Sequence, residues 1–346
     1  MPEASVIVLA YNSSAYLPGC LDALREQTHA DFEVVVVDNA STDGSAELVA
    51  RRHPEVRLVR SAENTGYAGG CNLGFRHARG EYLVVLGPDC EPEPGWLDAL
   101  LAACREPGVG LVTSMVRHYD DRDRINACGN DVHVLGLAFC RGLDDPWQRH
   151  TQPCQVAAIS GCSFAVPRGV LERIGSFDED FFMYCEDTDL SVRAWLAGYT
   201  VCYVPGSVVY HRSRLDIGPL KFFCLERNRH LVLLKNFGWR TLASLGPALA
   251  GGELLMWAYA ILRGPAFCAA KLRAWSWLLR NRSLIRSRRS WVRKLRRTPD
   301  LVVLGRLTWA LPERQVLGGS PLVRALGEAV NAFFRGSLAL ARLAAR

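Results

Sequence analysis

The chain has 346 residues, 49% of them hydrophobic, and its 41 Lys and Arg against 35 Asp and Glu leave a formal net charge of +6. That length and apolar content exclude a disordered polymer, and they suit either one large domain with an appendage or two smaller domains. Twelve cysteines lie between Cys20 and Cys268 with no C-x-x-C pair or zinc-like spacing, and "MPEASVIVLAYN" has no basic, apolar leader; both features point to reduced thiols and the cytoplasm.

In chain order, four short β-branched runs alternate with amphipathic stretches. The strands are expected at 5–10, 32–38, 56–60 and 81–87, and the helices at about 14–28, 43–53, 67–79 and 94–105. This alternation predicts βαβ units in a mainly parallel sheet with helices on both faces. Ligands of such sheets sit beyond the carboxyl ends of the strands. There the sequence places "YNSS" (11–14), "DNASTDGS" (38–45), "ENTGYAGGCNLG" (63–74) and "GPDCEPEPGW" (87–96). Turn chemistry accounts for any one of these, but four polar loops at one sheet edge predict a binding site.

Gly66, Gly69, Gly70 and Gly74 would let the backbone approach a ligand and lead into a helix N-terminus suited to phosphate. No G-x-G-x-x-G follows the first strand and no G-x-x-x-x-G-K-[ST] occurs, so neither a dinucleotide fold nor a P-loop is expected. Asp89 is aimed at the sheet rim, where it could hold Mg²⁺ or Mn²⁺ together with phosphate oxygens or a histidine. Farther along, "EDTDLSVRAWLAGY" reads as a helix with Glu186, Asp187 and Asp189 in its first turn. One acid there would serve the helix dipole. Three predict mutual repulsion, at least one raised pKa and a carboxylate general base.

The C-terminal part differs in character. From Arg263 to Arg346 there are eighteen Lys and Arg against Asp300, Glu313 and Glu328, or +15, which leaves −9 for the rest. Residues 241–262 are nearly all apolar, and 22 residues give roughly 33 Å of helix. Glu253, Pro247 and the basic run at 280–297 argue against a crossing and for a helix lying on the inner leaflet. Six of the nine tryptophans fall between Trp239 and Trp309, a mixture suited to an anionic membrane surface. No zinc finger, helix-turn-helix or RNP motif accompanies the arginines, so nucleic acid is not expected as a partner.

The segments "SVIVLAYN", "VVVVDNASTDGS", "ENTGYAGGCNLG", "LGPDCEPEPGWL", "ISGCSFAVPRGVLERIGSFDEDFFMYCEDTDLSVRAWLAGY" and "VYHRS" occur in the order seen in family 2 glycosyltransferases. The resemblance runs from Ser5 to about Phe237 and is to the bacterial branch of rhamnosyl and galactofuranosyl transferases. It implies an α/β GT-A fold, Rossmann-like, over residues 1–237, followed by a helical, basic, membrane-associating region over 238–346. It also implies transfer with inversion from a dTDP- or UDP-sugar to a glycan or polyprenyl-linked acceptor at the cytoplasmic face of the cell membrane, with Mg²⁺ or Mn²⁺ as cofactor. Leu9, Tyr11, Asp38 and Asn39 match positions lining base and ribose, and Asn64, Gly66 and Asn72 match the loop over nucleotide and sugar. Asp89 matches the metal aspartate that also meets the donor, and His211 a second metal ligand. Asp187 matches the catalytic base, with Glu186 supporting it. The basic stretch 226–237 is similar to one that meets an acceptor's pyrophosphate. The departure is Gly87, where the D-x-D-like motif usually has Asp or Asn, with Glu91 as a substitute ligand. That glycine is the argument for the alternative, a catalytically silent scaffold that binds a nucleotide sugar or a glycan.

Overall fold

The computed structural model describes residues 1–212, 216–312, 315 and 321–345. They form two compact units, Met1–Asn130 with Cys140–Ala194 and Tyr199–Leu215, and Asp131–Phe139 with Trp195–Gly198 and Asp216–Arg346.

In the first unit, β1 (Ala4–Ala10), α1 (Leu17–Arg25), β2 (Phe32–Asp38), α2 (Ser45–Arg52), β3 (Arg57–Arg60), α3 (Gly66–His77) and β4 (Tyr82–Leu86) alternate as the periodicity predicts. After them come β5 (Cys90–Pro92), α4 (Trp96–Cys104), β6 (Val109–His118) and β7 (Ile125–Ala127), then β8 (Asn130–Val132) and β9 (Ala138–Cys140), most of whose residues belong to the second unit. The remaining elements are β10 (Cys154–Gln155), β11 (Ser163–Pro167), α5 (Arg168–Ile174), α6 (Glu186–Leu196) and β12 (Thr200–His211).

One sheet runs β10-β12-β6-β11-β4-β1-β2-β3, with β5 added to β12 and β7 to β6. The pairs β1/β2, β2/β3, β1/β4 and β6/β12 are parallel, whereas β11 is antiparallel to both β4 and β6. Strands β1 to β4, β6 and β12 therefore end at one edge, and β11 begins there. Residues far apart in sequence are delivered to that edge by topology.

Strands β1 and β4 are buried along their whole length, as continuous β-branched runs in a covered parallel sheet should be. One face, with Val6, Val8, Val84 and Leu86, packs on Leu17 and Leu21 of α1 and Leu97 and Leu100 of α4. Against the other lies α3, so close that a Cβ on Gly70 would strike Leu9 and one on Gly74 would strike Ile7. Two of the glycines read as ligand-approach positions thus serve helix–sheet packing.

The second unit holds α7 (Pro219–Asn236), α8 (Trp239–Ser244), α9 (Gly246–Arg263), α10 (Pro265–Arg280), α11 (Arg282–Leu295), α12 (Asp300–Leu304) and α13 (Pro321–Ala344). Helix α7 packs on α10 and α11 and belongs to this unit, whereas the sequence reading grouped residues up to 237 with the first domain. The apolar stretch 241–262 is broken at Leu245, and α9 begins again with Pro247 in its first turn. Among the described residues no helix is long and apolar enough to cross a membrane. The stretch read as meeting a pyrophosphate is turned inward in part. Glu226 and Arg229 are buried and paired with each other, with Lys271 of α10 and with Glu253 of α9.

Candidate active site

Asp89, just after β4, and His211, the last residue of β12, meet at the carboxyl edge with Oδ2 and Nε2 3.3 Å apart. Asn126 of β7 supplies Oδ1 at 3.0 Å from His211 Nδ1. An amide oxygen only accepts, so Nδ1 carries the hydrogen and Nε2 is turned to Asp89. Burial disfavours the charged ring, but the Cys162 thiolate and the Asp89 carboxylate together raise its pKa to about 9. Asp89 Oδ2 and His211 Nε2, with the Cys90 sulfur close by, form a donor set that fits a divalent cation, and the Asn126 contact is the orienting bond a ligating histidine needs. Glu91 stays out of this set, drawn into a 2.7 Å ion pair with Arg212. A cavity of about 280 Å³ shares His211 and Arg212 with the centre and is lined further by His118, Arg124, Asp121 and Asp144.

Asp187 reaches the same edge from the start of α6. Its Oδ2 accepts from Asn130 Nδ2 at 3.2 Å and Gly161 N at 3.1 Å, and its Oδ1 from Thr188 N at 2.6 Å. The loop before β11 joins the two acids: Gly161 holds Asp187, while the carbonyl of Cys162 accepts from Gly87 N at 2.8 Å, two residues ahead of Asp89. Burial is the main cause that raises the Asp187 pKa, against the hydrogen bonds from Thr188 and Gly161. Glu186 is raised well above the ordinary range, by burial first and the Asp187 charge second, and its Oε2 has no hydrogen-bond partner among the described residues. Repulsion was expected to drive these shifts, and desolvation is the larger cause. The third acid is structural. Asp189 forms a buried 2.9 Å pair with Arg193, whose guanidinium also donates to the carbonyls of Ile174, Gly175 and Ser176 at the end of α5.

The chain enters α6 under strain. Phe182, Tyr184 and Cys185 all have φ between 61° and 69°, a region costing about 1–3 kcal/mol for each non-glycine residue. Gly66 accommodates that turn. Its own φ is 72°, and a Cβ there would lie 2.5 Å from Phe182 Cδ2. The backbone N–H of Ala68 donates to the Phe182 carbonyl and that of Gly66 to Asn64 Oδ1, so two N–H groups of the first turn of α3, where the sequence suggested a phosphate cradle, are engaged within the protein.

Other candidates divide into two groups. Asp38, at the end of β2, is buried with Oδ1 lacking a partner among the described residues, as a ligand-facing carboxylate would be. Tyr11, just past β1, is half exposed at the same edge, and Leu9 lies buried beneath Gly70. Asn39 and Asn72 are clamps. The Asn39 amide bonds Asn64, Thr65 and Gly66, and the Asn72 amide bonds Phe177 and Glu179, which fixes the loops around the site. Asn126 and Asn130, which orient His211 and Asp187, were not anticipated. In "INACGND" both read as ordinary turn residues, and no sequence signal separates them.

Comparison with known proteins identifies the family of the chain. Residues 5–175 match the model of glycosyl transferase family 2, and residues 144–292 that of glycosyl transferase family group 2. An N-acetylglucosaminyl-diphospho-decaprenol L-rhamnosyltransferase of Mycobacterium tuberculosis is 31% identical over 264 residues, 68% of this chain and 85% of that protein. An inactive polypeptide N-acetylgalactosaminyltransferase-like protein 5 of Macaca fascicularis is 26% identical over 62% of this chain and 52% of its own length. Among solved structures, GalNAc-T7 with UDP, GalNAc and Mn²⁺ superposes with a TM-score of 0.57 at 18% identity, covering 72% of this chain and 51% of that one. The mannosyltransferase PcManGT of Pyrobaculum calidifontis, in complex with GDP-Man and Mn²⁺, gives 0.50 at 23% identity over 99% and 87%. These matches to the chain that carries Asp89, Asp187 and His211 at one sheet edge establish that it belongs to glycosyltransferase family 2.

Proposed function

We propose that the protein transfers a sugar, with inversion, from a nucleotide-diphospho-sugar to a glycan or polyprenyl-linked acceptor at the cytoplasmic face of the cell membrane, in synthesis of a cell-surface polysaccharide. The carrying observation is that Asp187 and the Asp89–His211 pair stand on either side of one loop at the carboxyl edge of the sheet. The names of the relatives support the substrate class. They include a diphospho-decaprenol acceptor in the M. tuberculosis enzyme and UDP or GDP-Man in the solved structures. The donor carrier is a deoxythymidine or uridine diphosphate.

Asp187 accepts the proton of the acceptor hydroxyl as that oxygen bonds to the anomeric carbon and the bond from carbon to the diphosphate oxygen breaks. Its raised pKa makes it the stronger base, while Asn130 and Gly161 fix the direction of its Oδ2 lone pairs. Glu186, buried alongside with its carboxyl pushed well above the ordinary range, favours one negative charge on the pair over two. Asp38 and Tyr11 receive the nucleoside, and the clamps Asn39, Asn64 and Asn72 hold the loops that cover it. Asp89 and His211 would hold Mg²⁺ or Mn²⁺, which supplies positive charge opposite the departing diphosphate. His211 must give up its Nε2 proton to do so, and Asn126 keeps the ring in place.

The test is nucleotide diphosphate release on incubation with dTDP- and UDP-sugars, with and without a prenyl-diphosphate-linked acceptor. Acceptor-dependent release supports transfer. A second reading, a silent nucleotide-sugar-binding scaffold, rests on Gly87 and predicts donor binding with no release under any of these conditions.

A further inference from the structure

We propose that the outward face of the α9–α10 hairpin is a docking surface for a bilayer rich in anionic headgroups. The inference deepens the reading of a lipid-linked acceptor and rests on it only for the identity of the membrane. The inward sides of the two helices are packed against the rest of their unit. Ala260 of α9 and Phe267 and Ala270 of α10 pack around Phe222 of α7, with Met256 and Tyr259 beside them. Glu253, the only acid of α9, also points inward, where Arg229, His230 and Lys271 surround its carboxylate and Trp275 Nε1 donates to it at 3.2 Å.

What remains outside is a set of large aliphatic side chains bordered by arginines. Leu254, Ile261 and Leu262 on α9 and Leu272 and Leu279 on α10 are between 57% and 86% exposed. Spacings of seven and eight residues put each set on one side of its helix. Exposed Ala250 and Ala258 on α9 and Ala266 and Ala269 on α10 add small apolar surface, and α9 carries no outward charge before its last residue. Five large aliphatic side chains on one hairpin exceed the scatter of single apolar residues normal on a soluble surface.

Charge selects the occupant. From Leu254 to Pro299 the chain has twelve Lys and Arg and no Asp or Glu. Arg263, Arg273 and Arg280 border the leucines, and α11 adds Arg282, Arg286 and Arg293 on exposed positions. A second copy would bring the same cations against these and repel. Nucleic acid would satisfy the arginines and leave the leucines in water. A bilayer surface satisfies both, with the aliphatic side chains at the acyl boundary and the guanidinium groups at the phosphates. The mode is interfacial, since no described helix is long and apolar enough to cross.

The test is flotation of the full chain with phosphatidylcholine vesicles and with vesicles that also contain phosphatidylglycerol. The expected result is binding to the anionic vesicles, weakened by added salt, and a drop of about tenfold or more in the partition coefficient for the double variant L254D/L262D. R273E/R280E should lose the preference for anionic lipid while still folding, checked by circular dichroism. Equal flotation of L254D/L262D and wild type overturns the proposal, as does a wild-type dimer in sedimentation that this variant dissolves. Sugar transfer to a water-soluble, short-tailed diphosphate acceptor is measured in parallel. Transfer without flotation sinks the docking face alone, and flotation without transfer sinks the enzymatic reading alone.

Discussion

Replacing Asp187 by Asn should have two separable consequences. As the base, Asp187 is expected to contribute about 10²- to 10⁴-fold to turnover, which at 1.36 kcal/mol per decade is about 2.7–5.4 kcal/mol of transition-state stabilisation. The second consequence follows from its hydrogen bonds. Both oxygens accept: Oδ1 from Thr188 N, Oδ2 from Gly161 N and Asn130 Nδ2. An asparagine can satisfy only one side, and whichever way it lies its NH₂ meets a backbone N–H. Leaving a buried donor unmatched costs about 1–3 kcal/mol, so the variant should also melt about 2–4 °C lower for each kcal/mol lost. Single-turnover release of nucleotide diphosphate at saturating donor and acceptor reads the first effect, and differential scanning fluorimetry reads the second. Donor affinity, by calorimetry, should stay nearly unchanged. A variant that turns over within tenfold of wild type would refute the assignment of the base, and one that melts like wild type would refute the hydrogen-bond argument.

Asp89→Ala should abolish the Mn²⁺-dependent part of nucleotide binding and leave the metal-free part, as calorimetry with and without Mn²⁺ would show. Arg193→Met removes the partner of a buried carboxylate, so it should destabilise the fold by roughly 3–5 kcal/mol in urea unfolding, and adding Asp189→Asn should recover part of that loss. His133 is fully buried in the helical unit, with Leu135 N donating to its Nδ1 and Nε2 facing the Trp309 carbonyl, an arrangement that suits the neutral ring. Burial pulls its pKa from 6.5 down to about 4, against the Trp309 hydrogen bond and with help from Arg229. Between those values the unfolded chain binds the extra proton. Stability is therefore full above pH 6.5 and falls as pH drops toward 4, by about 3 kcal/mol in all. Denaturation at pH 7 and pH 4.5 should show a smaller acid loss in His133→Gln than in wild type.

Of the four parallel strands, β1, β2 and β4 were legible because covered parallel strands read as near-continuous apolar runs, β3 as the short edge run RLVR, and the loops after them because Asn, Asp and Gly punctuate a chain. From β5 onward the signal fails. Strand β11 is antiparallel between two parallel neighbours, a placement fixed by tertiary pairing and not by local pattern. Strand β12 carries Pro205 and Gly206 in its middle, where its register with β6 shifts between Val204 and Val208. The site was legible in its acids and not in its supports. Asp89 and the acid cluster holding Asp187 stood out by position and His211 by motif resemblance, whereas Asn126 and Asn130 act through partners more than fifty residues away. Asn39 and Asn72 were placed at the right edge, but their amides turned out to be clamps. The acid at 253 looked like an obstacle to an apolar helix until α7 and α10 supplied its counter-ions.

The glycine at position 87 bears on whether this chain is a working enzyme. A Cβ at Gly87 would lie 2.9 Å from Asp89 Oδ1 and 3.1 Å from Cys90 Sγ. An Asp or Asn here would therefore displace the carboxylate that faces His211, unless the whole turn moved. The turn is held at both ends, by Gly87 N to the Cys162 carbonyl and by Cys90 N to the Gly87 carbonyl at 3.1 Å. Glycine leaves the Asp89 carboxylate where it faces His211 without such a shift, so its presence is compatible with a working metal site. A decayed site would also be expected to let its supports drift. Here Asn126 still orients His211, three N–H donors still aim Asp187, and a strained entry to α6 is retained although relaxing it would stabilise the fold. Gly87→Asn should therefore impair divalent-dependent binding, where the scaffold reading predicts repair.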